Sequence, residues 1–381
     1  MAFTGKPTYV AFSVEVQRDV SPVVAAIAPL ATPWLDFIGD SAGPANVAVG
    51  STEHRWLEDE WTPQFTMTVS TAINSATADT GFQVDGWGGN VQPGDILTLG
   101  TIETTQEHMV VLSSAGAESI LVSRQFAGTT GYSTAAGGVL GFMSNAKLEG
   151  EVRQDDISRA RVNKTSFVQY MAKPIEVSGS MEAVLKEGGI GSEFDYQSGG
   201  RVGEILRDLE KQSLMGVSVE TIGDGTNRRT IKGVWAWATN THTAATITQS
   251  FVDNAILTGS ESFGGDFNYI VCGGVVKLGF DRLPGVNLVQ TRDEKAVGTE
   301  VTVYHSGLTE EPLRIIRTRQ MAPRGFIIGH SDNVAVLPLR NRSFQLMEYA
   351  KTKDARQGEV IGEYTAEPKL ASQLVRGYIT G

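Results

Sequence analysis

The sequence predicts an α+β fold: a large mixed body carrying a small all-β unit as an insertion. Three observations predict it. Short strand-like runs fill residues 65–143, one long one-sided helix follows near residue 192, and helical and extended patterns alternate from residue 222 onward. A chain of 381 residues can bury roughly three quarters of its unfolded surface, so the fold needs no cofactor or covalent staple. At 41% hydrophobic and 20% charged residues the composition is that of a globular protein, which excludes wholesale disorder and fibrous repeats.

The first 50 residues read as an extended arm with one short helix, Ser21-Pro22-Val23-Val24-Ala25-Ala26-Ile27-Ala28, opened by a Ser cap with Pro in the first turn. Ala31-Thr32-Pro33-Trp34 reads as its breaker. The apolar Trp34, Leu35, Phe37 and Ile38 fit either a local core or an arm docked on a neighbouring subunit, since a terminal segment this apolar needs a cover.

From Glu53 to Thr62 the chain alternates and turns acidic at Glu58-Asp59-Glu60, with Trp56 and Trp61 on the same stretch. Residues 65–143 follow as the β-unit. Asp95-Ile96-Leu97-Thr98-Leu99, His108-Met109-Val110-Val111-Leu112 and Ser119-Ile120-Leu121-Val122 are strands set off by Gly and Pro-Gly turns, at a spacing that suggests a small barrel or sandwich. Gly128-Thr129-Thr130-Gly131 is a turn and not a phosphate loop, for no Lys and no helix follow it.

The chain then resumes with a charged alternating stretch through Lys147, Arg153, Asp155, Asp156, Arg159, Arg161 and Lys164. Glu53–Thr62 going out and Lys147–Val177 coming back predict a long two-stranded ribbon, which cannot be stable alone. It is either an ordinary solvated hairpin or a limb that partners outside its own subunit.

Ser192-Glu193-Phe194-Asp195 has a capping-box pattern, and Gly216 can close the helix it opens. Val202, Ile205, Leu206, Leu209 and Ser213 are expected on one face. Arg201 with Glu204, Glu204 with Arg207, and Arg207 with Glu210 are expected as pairs on the others. Such a helix is about 35 Å long and reads as a spine laid along a sheet. Beyond it come an apolar Trp235-Ala236-Trp237 segment and helices near 250–259 and 273–282. The buried run Tyr269-Ile270-Val271-Cys272 and strands at 299–305, 313–319, 325–328 and 334–339 complete this part, and a final strand at 374–379 returns to the body.

The sequence offers little chemistry. Cys272, the lone cysteine, excludes an internal disulfide framework and reads as a small buried hydrophobe. His54, His108, His242, His305 and His330 are scattered with no metal-ligand spacing. The carboxylates stand on charged ribbon segments, so no catalytic, cofactor or metal site is expected. A net charge of −11 disfavours a protein that grips phosphates, though it is compatible with lying beside DNA. Arg314, Arg317, Arg319 and Arg324 could touch nucleic acid; within so acidic a chain, inter-subunit ion pairs are the preferred use. No stretch reaches the roughly 18 apolar residues of a membrane span. Met1–Val10 lacks a basic region followed by an apolar core, which predicts a protein made and kept in the cytoplasm.

The order of arm, charged ribbon with a β-insert, long helix and α+β domain resembles the major capsid proteins of tailed bacteriophages, whose fold is the Hong Kong 97 type. Pro29-Leu30-Ala31-Thr32-Pro33-Trp34-Leu35 is similar to the arm signature of one head-protein family, and His54-Arg55-Trp56-Leu57-Glu58-Asp59-Glu60 to its E-loop opening. Pro93-Gly94-Asp95-Ile96-Leu97, Arg124-Gln125-Phe126-Ala127-Gly128-Thr129-Thr130, Val177-Ser178-Gly179-Ser180, Leu206-Arg207-Asp208-Leu209-Glu210-Lys211 and Arg228-Arg229-Thr230-Ile231-Lys232-Gly233 continue the likeness.

The resemblance implies an N-terminal arm (1–50), an E-loop ribbon (51–64 and 144–180), a β-rich insertion domain (65–143), a spine helix with peripheral domain (181–224), an axial domain (225–343) and a C-terminal return to the peripheral domain (344–381). It further implies a shell of hexamers and pentamers around double-stranded DNA held without specific recognition, assembled in the host cytoplasm with scaffolding, portal and decoration proteins. The absence of a long helical segment before the arm suggests that the scaffold is a separate protein. Trp34, Trp56, Glu58, Asp59, Arg153, Arg159 and Arg161 are the expected subunit-interface residues. An encapsulin-like compartment, a tail or decoration protein, and a glycan hydrolase are the alternatives.

Overall fold

The computed structural model describes residues 31–41, 48–59, 66–74, 81–85, 91–99, 107–114, 116, 118–150, 161–184, 191–218, 228–283, 288–290, 301–309 and 311–381. The helix expected at 21–28 lies outside them. In chain order, α1 (Pro33–Ser41) and β1 (Glu53–Glu58) precede six strands, β2 (Thr66–Thr68), β3 (Gly81–Gln83), β4 (Asp95–Leu99), β5 (Glu107–Ser114), β6 (Ser119–Ser123) and β7 (Val139–Asn145). The chain continues through β8 (Val162–Phe167), β9 (Gln169–Ser178), α2 (Gly179–Ala183), α3 (Glu193–Met215), α4 (Val234–Trp237), β10 (Asn240–Ala244), α5 (Gln249–Phe263), β11 (Tyr269–Cys272) and α6 (Gly274–Asp281). It ends with β12 (Leu288–Gln290), β13 (Val301–Tyr304), β14 (Leu313–Arg317), β15 (Gly325–Gly329), β16 (Val334–Pro338), β17 (Gln345–Glu348), β18 (Ala355–Pro368) and β19 (Val375–Ile379). Two compact units result: residues 1–56 with 165–381, and residues 57–164.

In the smaller unit six antiparallel strands run in the order β2-β7-β4-β5-β6-β3. A bridge between Val69 and Val84 joins the ends of the two outer strands and closes the sheet as a barrel. Alternation places Leu97, Leu99, Met109, Val111, Ile120, Val122 and Leu140 inside, the period-two pattern of a strand with one dry face. Asp85 fastens the seam. Its carboxylate accepts from Ser70 Oγ at 2.6 Å and from Thr68 Oγ1, and these bonds hold its carboxyl below the ordinary value.

In the larger unit a seven-stranded mixed sheet has the order β10-β19-β15-β11-β14-β13-β12. Its central strand β11 is buried at all four residues because both faces are covered, which explains an unbroken apolar run where a half-buried strand would alternate. Ile270 and Cys272 point into one core with residues of α5 and α6, while Tyr269 and Val271 point into the other with α1 and α4. A second sheet is built on the long β18, which pairs with β16 and β17 along one edge and with β9 along the other.

The spine helix α3 lies on this second sheet. Ser192 Oγ accepts from Asp195 N at 3.3 Å as its cap, and Phe194, Ile205 and Leu209 pack against Met171, Ile175, Val177 and Val360. Two expectations for this helix are corrected. Val202 is 38% exposed, since the stripe that reaches the sheet is narrower than the apolar pattern. Glu210 does not pair with Arg207 but turns inward, fully buried, while Arg207 reaches Asp208; the Arg201–Glu204 pair is present at 2.7 Å. At the helix end Gly216 carries no positive φ. It is needed for space, because a Cβ there would lie 2.4 Å from Ile231 O, where the Gly216 and Gly233 backbones bond at 2.9 Å.

The return stretch of the expected ribbon also divides. Among the described residues only β8 pairs with β1, as a two-stranded sheet. From Gln169 to Ser178 the chain pairs instead with β18, where Met171, Ile175 and Val177 gain the cover of α3 that a free ribbon would deny them.

Candidate inter-subunit interface

The first anchor is the arm helix. Pro33 stands at its first position, where a missing N–H costs nothing, so Ala31-Thr32-Pro33-Trp34 starts a helix where a breaker was expected. The next two N–H groups are orphans by construction. Glu210 of α3 satisfies them: Trp34 N and Leu35 N donate to its Oε2 at 3.1 and 3.4 Å, and Thr318 Oγ1 donates to Oε1. A carboxylate at the positive end of α1 is electrostatically favoured. Burial nevertheless dominates and raises the Glu210 carboxyl above its ordinary value, against the lowering effect of the three hydrogen bonds. One side chain thus ties arm, spine and central sheet together. Sequence reasoning missed it, because at a three-residue spacing from Arg207 it looked like half of a surface pair.

Trp34, expected at a subunit interface, is 0% exposed. Its ring lies 5.0 Å from that of Tyr269 and 6.2 Å from that of Phe37, so its own chain encloses it and no face is left for a neighbour. Trp56 is likewise buried, with its ring 5.4 Å from Trp237, and Lys232 Nζ stands 3.8 Å over the same Trp237 ring. Beside it His54 Nε2 approaches Glu367 Oε2 at 3.1 Å. Burial opposes ionisation of Glu367, but His54 and Lys369 outweigh it and hold the carboxyl below its ordinary value. These contacts fasten the first residues of β1 to β18 and α4.

Beyond Trp56 the ribbon faces water. Leu57 is 65% and Val162 50% exposed, large apolar side chains that their own chain covers only in part. Asp59 and Arg161 are brought together across the two strands, Oδ2 to Nε at 3.5 Å, with both side chains exposed; such pairs are individually weak. Glu58 is half-buried beside them. Arg153 and Arg159 lie outside the described residues.

The β-unit buries an ion pair, Glu107 with Arg124. The Glu107 carboxylate accepts from Arg124 Nε at 2.8 Å, from Tyr132 N at 2.8 Å, from Gln125 N at 3.1 Å and from Arg124 Nη2. Desolvation opposes its ionisation, yet these donors together hold the carboxyl below its ordinary value. With every oxygen lone pair used, the pair organises the turn that follows, where Gln125 and Ala127 adopt positive φ values of 53° and 59°. Among the described residues no group of His, Cys, Asp and Glu could hold a metal ion, and no helix is long and apolar enough to cross a membrane.

A mixed body with a spine helix, a two-stranded ribbon and an anchored arm helix defines the fold of a capsid shell subunit of the Hong Kong 97 type. The capsid of an empty GTA particle matches over 99% of this chain and 100% of that one, with TM-score 0.55 at 9% identity. The capsid of a native GTA particle matches over 99% and 100% with TM-score 0.48 at 12% identity, and a Gordonia phage Cozz structure over 63% and 79% with TM-score 0.44 at 14% identity. At these identities the likeness is one of fold. No curated protein matches the sequence. The model of the SU10 major capsid protein family matches residues 4–372: the chain belongs to that family and is a major capsid protein, which assembles with itself into the capsid of a virion.

Proposed function

We propose that this subunit tiles the head of a tailed phage as hexamers and pentamers, and that the ribbon is the limb that joins one subunit to the next. The observation that supports this is the ribbon itself: two short strands with Leu57 and Val162 bare to solvent and charges of both signs at their end. A ribbon of that kind is stabilised when another surface covers it. The contacts fall on Glu58, Asp59, Arg153, Arg159 and Arg161, while Trp34 and Trp56 serve as anchors inside their own subunit.

In this reading residues 1–50 are the arm, 51–64 and 144–180 the E-loop, 65–143 the insertion domain, 181–224 with 344–381 the peripheral part and 225–343 the axial part. The protein performs no catalysis; its work is mechanical. Interfaces of more than about 2,000 Å² per subunit hold the shell, and mixed-sign rim charges set register as much as affinity. The shell is assembled in the host cytoplasm with scaffolding, portal and decoration proteins. A wall of net charge −11 encloses double-stranded DNA without gripping it. Reversing Arg153→Glu and Arg159→Glu blocks assembly and leaves a folded subunit, read by sedimentation and circular dichroism. Normal particles from that variant would remove the ribbon from the interface.

A further inference from the structure

The four arginines of the stretch 314–324 meet different fates. The Arg314 guanidinium lies 5.2 Å from the centre of the Phe37 ring, and Arg324 Nη1 donates to Thr380 O at 3.1 Å. Arg317 and Arg319 are both exposed, and neither guanidinium forms a hydrogen bond or an ion pair with any described residue. Both line a pocket of about 670 Å³ with Gly274, Lys277, Asp281 and Thr318. Lys277 Nζ is 3.0 Å from Asp281 Oδ1, so those two charges answer one another. What remains in the concavity is the charge of two guanidinium groups, each a planar fork whose geometry matches a carboxylate or phosphate oxygen pair.

We propose that this pocket receives acidic side chains of a second copy of the chain, and that Glu58 and Asp59 of a neighbour's ribbon supply them. This rests on the reading of the ribbon as the joining limb. Charge complementarity selects the occupant. The chain carries 43 acidic against 32 basic residues, and the end of β1 concentrates the sequence Glu58-Asp59-Glu60 on a ribbon where Leu57 and Val162 are exposed. Among the described residues Asp59 is held only by the loose 3.5 Å contact with the exposed Arg161, a pair that can exchange partners at little cost. A nucleic acid fits the pocket less well, since two cations in one hollow of an acidic protein do not make the extended basic track that neutralises a phosphate backbone.

The test is a charge swap in the full-length protein. Arg317→Glu with Arg319→Glu is expected to lower the yield of closed particles at least about tenfold, while the unassembled subunit melts as the wild type does, because neither side chain is buried. Adding Glu58→Arg with Asp59→Arg to that chain restores particles. Undiminished yield from the first variant overturns the pocket's role in assembly. A loss that the second pair of changes does not rescue overturns the assignment of the occupant. Normal shells that retain less DNA would mean that the pocket serves nucleic acid, and would overturn the proposal. Failure of the wild type to form closed particles is the separate result that sinks the function proposed above.

Discussion

Truncating Trp34 to alanine separates two roles for the arm, a plug in its own subunit or a clamp on the next. The indole is fully enclosed, stacked on Phe37 and set edge-on to Tyr269, and loss of such a ring costs about 3–5 kcal/mol through lost burial and the cavity left behind. Part of that is returned. Trp34 Nε1 finds no hydrogen-bond partner among the described residues, and removing an unsatisfied buried donor relieves about 1 kcal/mol. The expected net loss is about 2–4 kcal/mol, felt by the isolated subunit. The assay is urea unfolding of the unassembled fraction, followed by fluorescence with the m-value held in common. A variant as stable as the wild type to within about 0.5 kcal/mol, yet unable to form particles, would show that the ring serves a neighbour and would refute the assignment of α1 to the subunit's own core.

Further outcomes follow from three buried groups. Glu210→Leu strands the N–H groups of Trp34 and Leu35 and the Thr318 hydroxyl, costing about 3–5 kcal/mol; hydrogen exchange at the Trp34 and Leu35 amides should accelerate first, and unchanged protection there would contradict the latch. Because burial raises the Glu210 carboxyl above 4.5, the native state binds its proton more tightly than the unfolded chain. Its contribution to stability therefore grows as pH falls from neutrality through the raised value toward 4.5, and Glu210→Gln should abolish that slope in pH-dependent melts. Glu107 is the opposite case: its carboxyl lies below 4.5, so its contribution is present above that pH and is lost as pH falls through the lowered value. Glu107→Gln should cost the β-unit about 3–5 kcal/mol, seen as early proteolytic cleavage within residues 57–164. Cys272, buried in the central strand with its thiol pushed up to about 12, should resist maleimide in the native protein and react on unfolding; rapid native labelling would mean that the sheet is open.

Much of the fold was legible because its signals are local. Ser192 and Glu193 announce α3, the Tyr269–Cys272 run announces a strand covered on both faces, and turn residues at regular intervals announce the β-unit. What escaped depends on contacts distant in sequence. Pro33 is a breaker in mid-helix and a favoured residue at a helix start, and only the carboxylate of Glu210, 176 residues away, decides which. Val202 belongs to the apolar stripe by period but not by packing, since the stripe of α3 that meets the sheet through Phe194, Ile205 and Leu209 is narrower than the periodic pattern. The partner of β9 is β18, nearly 200 residues later, so a ribbon extended to Val177 is the natural reading until β18 takes that edge. The expected interface residues divide on the same ground: Asp59 and Arg161 at the ribbon end stay exposed, whereas the tryptophans, the most apolar members of the set, found cover at home.

The central claim is that copies of this chain close upon one another. Electron microscopy of particles formed by the purified protein, with icosahedral averaging, tests it most directly. The account predicts closed shells of hexamers and pentamers in which density for residues 53–59 and 161–167 lies against an adjacent subunit. Shells in which that ribbon touches only its own subunit, or a protein that stays monomeric at every concentration and salt, would contradict it.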